Sequence, residues 1–454
     1  MAGTCEAKRL ERGQGYVTVQ NMTVTSRDDG LVRKVGPWAL AASVIGIVVG
    51  AGIFTVPASL AAAVGPYAPL AFLVCGLIIG AVAICFAEGG SRIPTSGGAY
   101  GYIAAAFGPL AGYVSGTLLL VGDVLACGGV TAALADLSAG LAPKPVAATI
   151  HAAVIVVVIG SVMLINISGV ARAARFVSVT TALKLIPLGL FIVVGCVALG
   201  HAHPARAVQP ATEGVGRALI LALFAFIGME SPLTASGEVA QPSRTIPLAL
   251  AIAMVCVTLI YIAVQVIAQG ILGAQLAHSS APLADAMAHV SPLLRTVMLA
   301  GAAISMFGWI SSDILGSPRM LFAFARDGLL FRPLGLVHPR TRTPYVAILT
   351  YAVVAMILAL TGTFTELAVL AAMGTAALYA TGCMAAWLLA RKQIATAGAP
   401  LSFRWLGVAT GVGVAGMLAL IASASWQEIA GLLTLIGLSA LVYLLQTRKV
   451  LARP

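Results

Sequence analysis

Four ionisable side chains interrupt stretches of this sequence that are otherwise apolar. They are Asp123 in Val121-Gly122-Asp123-Val124, Lys184 in Ala182-Leu183-Lys184-Leu185-Ile186-Pro187, Glu230 in Gly228-Met229-Glu230-Ser231-Pro232, and Asp313 just past Ser311-Ser312. An ionisable group in an apolar medium is expensive to keep, so each is a functional candidate by default. A lysine or carboxyl in such a place can carry a proton, brace irregular backbone or pair with a charged ligand. Two more stretches join Gly and Pro in the same setting. One is Gly46-Ile47-Val48-Val49-Gly50-Ala51-Gly52-Ile53-Phe54 followed by Pro57, and the other is Phe224-Ala225-Phe226-Ile227-Gly228-Met229-Glu230-Ser231-Pro232. Gly is a poor helix former, and Pro57 and Pro232 have no N–H for the carbonyls of Ile53 and Gly228. Both stretches therefore predict an interrupted helix. A half-helix starting after Gly50 would offer free N–H groups and a positive dipole end, suited to a carboxylate. Half-helices ending near Val48 and Ile227 would offer free carbonyls, suited to an ammonium group. Together they fit an α-amino acid, whereas packing kinks are the structural alternative.

The elements that must position these residues follow from composition. The chain has 454 residues, 60% hydrophobic and only 9% charged, against about 25% charged in soluble domains. That excludes a water-soluble enzyme, a nucleic-acid-binding protein and a disordered chain. Long apolar runs predict an all-α membrane protein of twelve transmembrane helices, near 37–62, 67–88, 109–136, 146–166, 175–199, 217–236, 247–272, 293–320, 345–361, 366–390, 404–424 and 427–446. They are numbered here spans 1 to 12. Each is about long enough for a hydrocarbon core of ~30 Å. The interrupted spans, 1 and 6, hold corresponding places in two halves, which is the sequence pointer to a transporter binding site. The organisation expected is a polar tail (1–36), a first repeat (37–199), a second repeat (217–391), two added spans (404–446) and a short C-terminus (447–454).

The formal net charge is +11. With both termini in the cytoplasm, all Lys and Arg fall on the inner side except Lys144, Arg206, Arg217 and Arg295 outside and Lys184 within a span. This is the positive-inside bias, so the charge reports orientation rather than a nucleic-acid partner. Lys184 lies nine residues past Arg175, ~13 Å along a helix and near the membrane midplane. The cysteines and histidines have neither metal-ligand nor disulfide spacing, so no metal or cofactor is expected. Gly411-Val412-Gly413-Val414-Ala415-Gly416 matches a dinucleotide-binding pattern by letters alone. Without a preceding strand, in mid-span, it predicts close helix packing.

Four stretches in order resemble the amino acid–polyamine–organocation transporters. They are Gly50-Ala51-Gly52-Ile53-Phe54; Ser96-Gly97-Gly98-Ala99-Tyr100, preceded by Glu88 and Arg92-Ile93-Pro94; Gly237-Glu238-Val239-Ala240-Gln241-Pro242 after span 6; and Ala325-Arg326-Asp327-Gly328 with His338-Pro339-Arg340-Thr341-Arg342-Thr343-Pro344 after span 8. The resemblance covers about residues 36–390. It implies a five-plus-five inverted repeat, alternating access, and a substrate site between spans 1, 3, 6, 8 and 10. By that likeness Gly50, Ala51 and Gly52 would hold a carboxylate, and the carbonyls of Val48 and Ile227 an amine. Phe224 would gate, and Trp309 would wall the pocket. Asp123 would face the substrate side chain or pair with a polar neighbour. Lys184 resembles the proton-coupling lysine of bacterial members, with carbonyls near Gly46 and the hydroxyls of Ser311 or Ser312 as partners. Glu230 would carry a proton or brace the unwound segment.

These readings predict a secondary amino acid transporter of the plasma membrane, coupled to protons and embedded in membrane lipid. An exchanger of cationic amino acids or polyamines is the alternative. No nucleophile–base or zinc-binding set points to a membrane enzyme.

Overall fold

The structure is a computed structural model, and it describes residues 36–93, 99–199, 214–230, 241–395 and 400–451. Among these residues it is helical, without strands. The helices are α1 (Pro37–Val48), α2 (Gly52–Val64), α3 (Ala68–Arg92), α4 (Ala99–Phe107), α5 (Pro109–Ala139), α6 (Lys144–Ser168), α7 (Val170–Leu199), α8 (Gly214–Phe226), α9 (Pro242–Leu272), α10 (Pro282–Ala288), α11 (Pro292–Gly316), α12 (Pro318–Arg326), α13 (Tyr345–Thr361), α14 (Phe364–Arg391), α15 (Leu406–Ala422) and α16 (Trp426–Leu451). Seven helical segments are long and apolar enough to cross a membrane, and five shorter apolar helices accompany them. The apolar runs read from the sequence fall on these helices, the first on α1 and α2 and the eighth on α11 and the start of α12, while the sixth is described only to Glu230. The predicted tail, Ser96–Gly98, Ser231–Ala240 with Pro232, and Arg206 lie outside the described residues.

Breaks fall where backbone chemistry puts them. Pro occupies the first turn of α1, α5, α9 and α11, where its missing N–H has no intrahelical role. Thr363 and Glu366 form a reciprocal capping box that starts α14. Gly108, at φ +96°, turns the chain from α4 into α5.

Helices α14 and α5 form the centre, largely enclosed by protein, whereas α16 lies at the rim and is mostly exposed. Outward-facing Leu77, Val157, Ile186, Val197, Leu259 and Leu418 leave apolar surface exposed. Of the three motif glycines of α15, Gly413 and Gly416 pack closely as expected, whereas nothing lies within 4 Å of where a Gly411 Cβ would stand. A Cβ on Gly416 would lie 2.5 Å from Ile78 Cγ2, and one on Gly413 would lie 3.0 Å from Cys383 Sγ. That helix thus lies close against α3 and α14.

The packing has an internal pattern. Helix α5 packs on α14, and α11 packs on α7; α1 packs on α9, and α8 on α3. Likewise α3 meets α14 and α7 meets α9, while α5 meets α13 and α6 meets α11. Each of these pairs becomes its mate when spans 1–5 are exchanged for spans 6–10.

Candidate substrate site

Span 1 is two helices. The Val49 N–H still bonds Ile45 O at 2.8 Å, but the Gly50 N–H turns to Val48 O at 2.7 Å and abandons the helical acceptor Gly46. Helix α2 then starts at Gly52; the Phe54 N–H bonds Ala51 O at 3.1 Å, and those of Gly52 and Ile53 before it have no intrahelical acceptor. Span 6 breaks in the same layer. Helix α8 ends at Phe226, Ile227–Glu230 form a turn, and Gly228 has φ +111°.

Glycine lets the two breaks meet. A Cβ on Gly50 would lie 2.5 Å from Trp309 Cδ1, one on Gly52 would lie 3.0 Å from Ala225 Cα, and one on Gly228 would lie 2.8 Å from Ile47 Cγ2. The first contact brings α11 over the span 1 break. The other two press span 1 against span 6.

Between the breaks is a small cavity of about 10 Å³. Its spare space holds roughly one water in this conformation. Val48, Gly50, Ala51, Gly52, Phe224, Ile227 and Trp309 line it, joined by Ala126, Val130 and Ala225. Seven of the eight residues expected to bind substrate thus surround one space. The Phe224 ring closes one side, edge-to-face on Phe364 with centroids 5.5 Å apart.

Asp123 is the eighth, and it is not in this lining. The Ser317 hydroxyl is 2.7 Å from Asp123 Oδ2 and 3.1 Å from Asp313 Oδ1, and the Tyr351 hydroxyl donates to Asp313 Oδ2 at 2.6 Å. Asp123 and Asp313 therefore belong to a polar cluster joining α5, the α11–α12 corner and α13. On the cavity side α5 supplies Ala126 and Val130 instead.

Glu230 is buried in the span 6 turn and accepts a 2.5 Å hydrogen bond from the hydroxyl of Tyr379 on α14. Lys184 is also buried, on α7. One turn before it, Thr180 sits so close to α11 that a Cβ on Gly308 would lie 2.8 Å from its side chain. Ser311 returns its hydroxyl to Phe307 O at 2.7 Å, and Ser312 beside it is half-buried. The α11 serine that reaches the span 1 break is Ser305, whose hydroxyl donates to Gly50 O at 3.2 Å.

Residues of α9 complete the site, and the sequence reading passed over them. The buried Tyr261 hydroxyl lies 2.8 Å from Val48 O and 2.7 Å from Ala225 O, so one phenol joins both interrupted spans. Gln265 donates to Pro57 O at 3.2 Å and Gln269 to Gly65 O at 2.6 Å. Tyr261, Gln265 and Gln269 stand four residues apart on one helix face. That polar stripe in an apolar span was the available signal. Its consequence is direct: Val48 O, expected to be open to an amine, already receives the Gly50 N–H and the Tyr261 hydroxyl.

The loop motifs have structural work as well. Glu88 is buried in a 2.7 Å ion pair with Arg92 and accepts the Phe403 N–H at 3.1 Å. The His338–Pro344 loop closes on itself through His338 N–H to Thr343 O at 2.8 Å, and the Thr343 hydroxyl anchors it on Ile167 O at 3.1 Å.

Residues 35–427 match the model of the amino acid permease family. The chain belongs to that family. It is 27% identical to the branched-chain amino acid permease BcaP of Bacillus subtilis (strain 168), over 94% of this chain and 96% of the relative. It is 36% identical to an uncharacterized transporter of Mycobacterium tuberculosis (strain ATCC 25618 / H37Rv), over 73% of this chain and 75% of that one. A vacuolar cationic amino acid transporter of Arabidopsis thaliana is 26% identical over 83% of this chain and 66% of its own length. For a member of this family, the cavity between the two breaks is the candidate substrate site.

Proposed function

We propose that this permease takes up a neutral, apolar α-amino acid across the plasma membrane, driven by a proton gradient through alternating access. The observation that carries the reading is the cavity itself. Backbone polar groups of two interrupted helices meet there, and no charged side chain lines it among the described residues. Ala51 and Gly52 at the start of α2 suit a carboxylate. The carbonyl at Ile227 suits the amine, joined by Val48 O when the Tyr261 hydroxyl turns to Ala225. Val130, Phe224 and Trp309 form apolar walls for a side chain. The name of the Bacillus relative supports the same substrate class. A cationic substrate would lack a counter-charge in the lining, because Asp123 is turned to Ser317.

The exchange symmetry of the helix contacts supports a five-plus-five inverted repeat within twelve crossings, and the distribution of Lys and Arg supports cytoplasmic termini. Tyr261, Gln265 and Gln269 tie spans 1, 6 and 7 into one body. Rocking of that body against spans 3, 8 and 10 would open the cavity to either side. Lys184 and Glu230 are the proposed proton carriers. Lys184 is buried on α7 between Thr180 and Pro187, which pack against Gly308 and Gly301 of α11, so it stands level with Ser305 rather than with Ser311 and Ser312, and Glu230 lies in the span 6 turn.

Purified protein in liposomes tests this directly. A pH gradient alone should drive accumulation of labelled leucine or valine, with neutral amino acids competing and arginine not. Lys184→Ala should lose gradient-driven accumulation and keep substrate binding. Uptake that appears only with amino acid trapped inside would establish an exchanger and overturn symport. Competition by arginine or a polyamine, without competition by leucine, would overturn the neutral substrate.

A further inference from the structure

A second and much larger recess lies on the outer surface, away from the substrate cavity. It has a volume of about 1010 Å³ between α3, α9 and the start of α15. Its walls run from Leu73 to Ala87 on α3 and from Arg244 to Ile262 on α9, about 21 and 27 Å at 1.5 Å per residue. Either length exceeds one leaflet, which is half of a ~30 Å hydrocarbon core. The floor is smooth because α3 presents Gly80, Ala81, Ala83 and Ala87 to it. Nothing lies within 4 Å of where a Gly80 Cβ would stand, whereas the neighbouring Gly76 is already filled by Thr258.

The chemistry is polarised along the recess. Its length is hydrocarbon, but one end holds exposed Arg244 and the exposed indole of Trp405, with Phe403 beside it. Arg404 lies over that indole at 6.0 Å. Neither arginine is in an ion pair among the described residues. The nearby carboxylate of Glu88 is turned inward and held by Arg92 and the Phe403 N–H, so it does not neutralise that end. An aromatic at headgroup level with two arginines, above an apolar channel of acyl-chain length, matches a phospholipid with an anionic headgroup.

We propose that this recess is a binding site for an anionic phospholipid, its phosphate on Arg244 and Arg404 and an acyl chain along Gly80. Any bilayer would fill the channel with hydrocarbon. The arginines make the site selective, and Trp405 fixes the depth of the headgroup. The site is independent of what the permease carries, because it shares no residue with the central cavity.

The test is native mass spectrometry of the full-length, delipidated protein offered equal amounts of phosphatidylglycerol and phosphatidylcholine with identical chains. Two arginines near a surface predict an about 30-fold preference for phosphatidylglycerol, from ~1 kcal/mol for each basic residue. The double variant Arg244→Gln/Arg404→Gln should lose that preference and keep its helical circular dichroism. Gly80→Leu should reduce retention of both lipids by placing a side chain in the channel. Equal retention of the two lipids by the unaltered protein would overturn the proposal. So would a preference that survives in the double variant, or a protein dimer that Gly80→Leu dissociates, since the recess would then be a contact between copies.

Discussion

Replacing Gly50 with alanine separates steric from polar roles in the span 1 break. The backbone N–H of residue 50 survives the change, so any loss comes from the added methyl group. That carbon would sit 2.5 Å from Trp309 Cδ1, 3.2 Å from Nε1 and 3.3 Å from Cγ. Carbon atoms in favourable contact stand ~3.5–4.0 Å apart, so the indole or the break must yield by about 1 Å. Overpacking of this kind costs roughly 1–3 kcal/mol, equivalent to a 5- to 150-fold change at about 1.4 kcal/mol per tenfold. The expected result for Gly50→Ala is a loss of substrate affinity of at most that size, since only strain that differs between the free and bound states reaches the affinity, measured by binding to purified protein. Trp309→Leu removes the obstructing ring, so a double-mutant cycle should show Gly50→Ala to be much less harmful in that background. The two affinity losses would then combine to less than their product. Wild-type affinity in Gly50→Ala, or losses that simply multiply, would refute the close contact between the break and the indole.

Other substitutions probe the surrounding contacts. Tyr261→Phe removes the phenol that serves Val48 O and Ala225 O, and an abandoned buried acceptor costs about 1–3 kcal/mol; thermal unfolding in detergent should move down, and an unchanged transition would contradict the tie. Gly228→Ala forces a side chain into a positive-φ turn and onto Ile47, so transport should fall while the protein still reaches the membrane, as surface labelling would report. Tyr379→Phe deprives Glu230 of its 2.5 Å donor, and the pH profile of uptake should shift relative to the unaltered protein; an identical profile would remove Glu230 from coupling. Asp123→Asn should leave substrate affinity unchanged, because the side chain faces Ser317; a large loss would return Asp123 to the pocket.

Much of the candidate site was legible because its signals are local. Gly46 to Phe54 with Pro57 announces a helix that cannot continue, and the structure separates α1 from α2 at Val48 and Gly52. Ile227 followed from the span 6 interruption, whereas Phe224 and Trp309 followed from the family resemblance, and all three reach the same cavity. Side-chain direction was not legible. Asp123 stands on α5 only three residues from Ala126, yet three residues leave it oriented to Ser317 while Ala126 meets the cavity. Ser305 reaches Gly50 O, and Ser311 bonds back to Phe307 O of its own helix, although both are serines of one helix.

The sequence by itself determined the class, the apolar helices and the positions of the breaks, because hydrophobicity and the missing N–H of proline act on the chain locally. The tertiary structure decided which polar group satisfies which exposed carbonyl. Tyr261 on α9 is 213 positions from Val48 and 36 from Ala225, yet its hydroxyl holds both. No local rule connects those residues. A break in a membrane helix leaves acceptors that lipid cannot satisfy, and only the packing of distant helices determines which donor arrives.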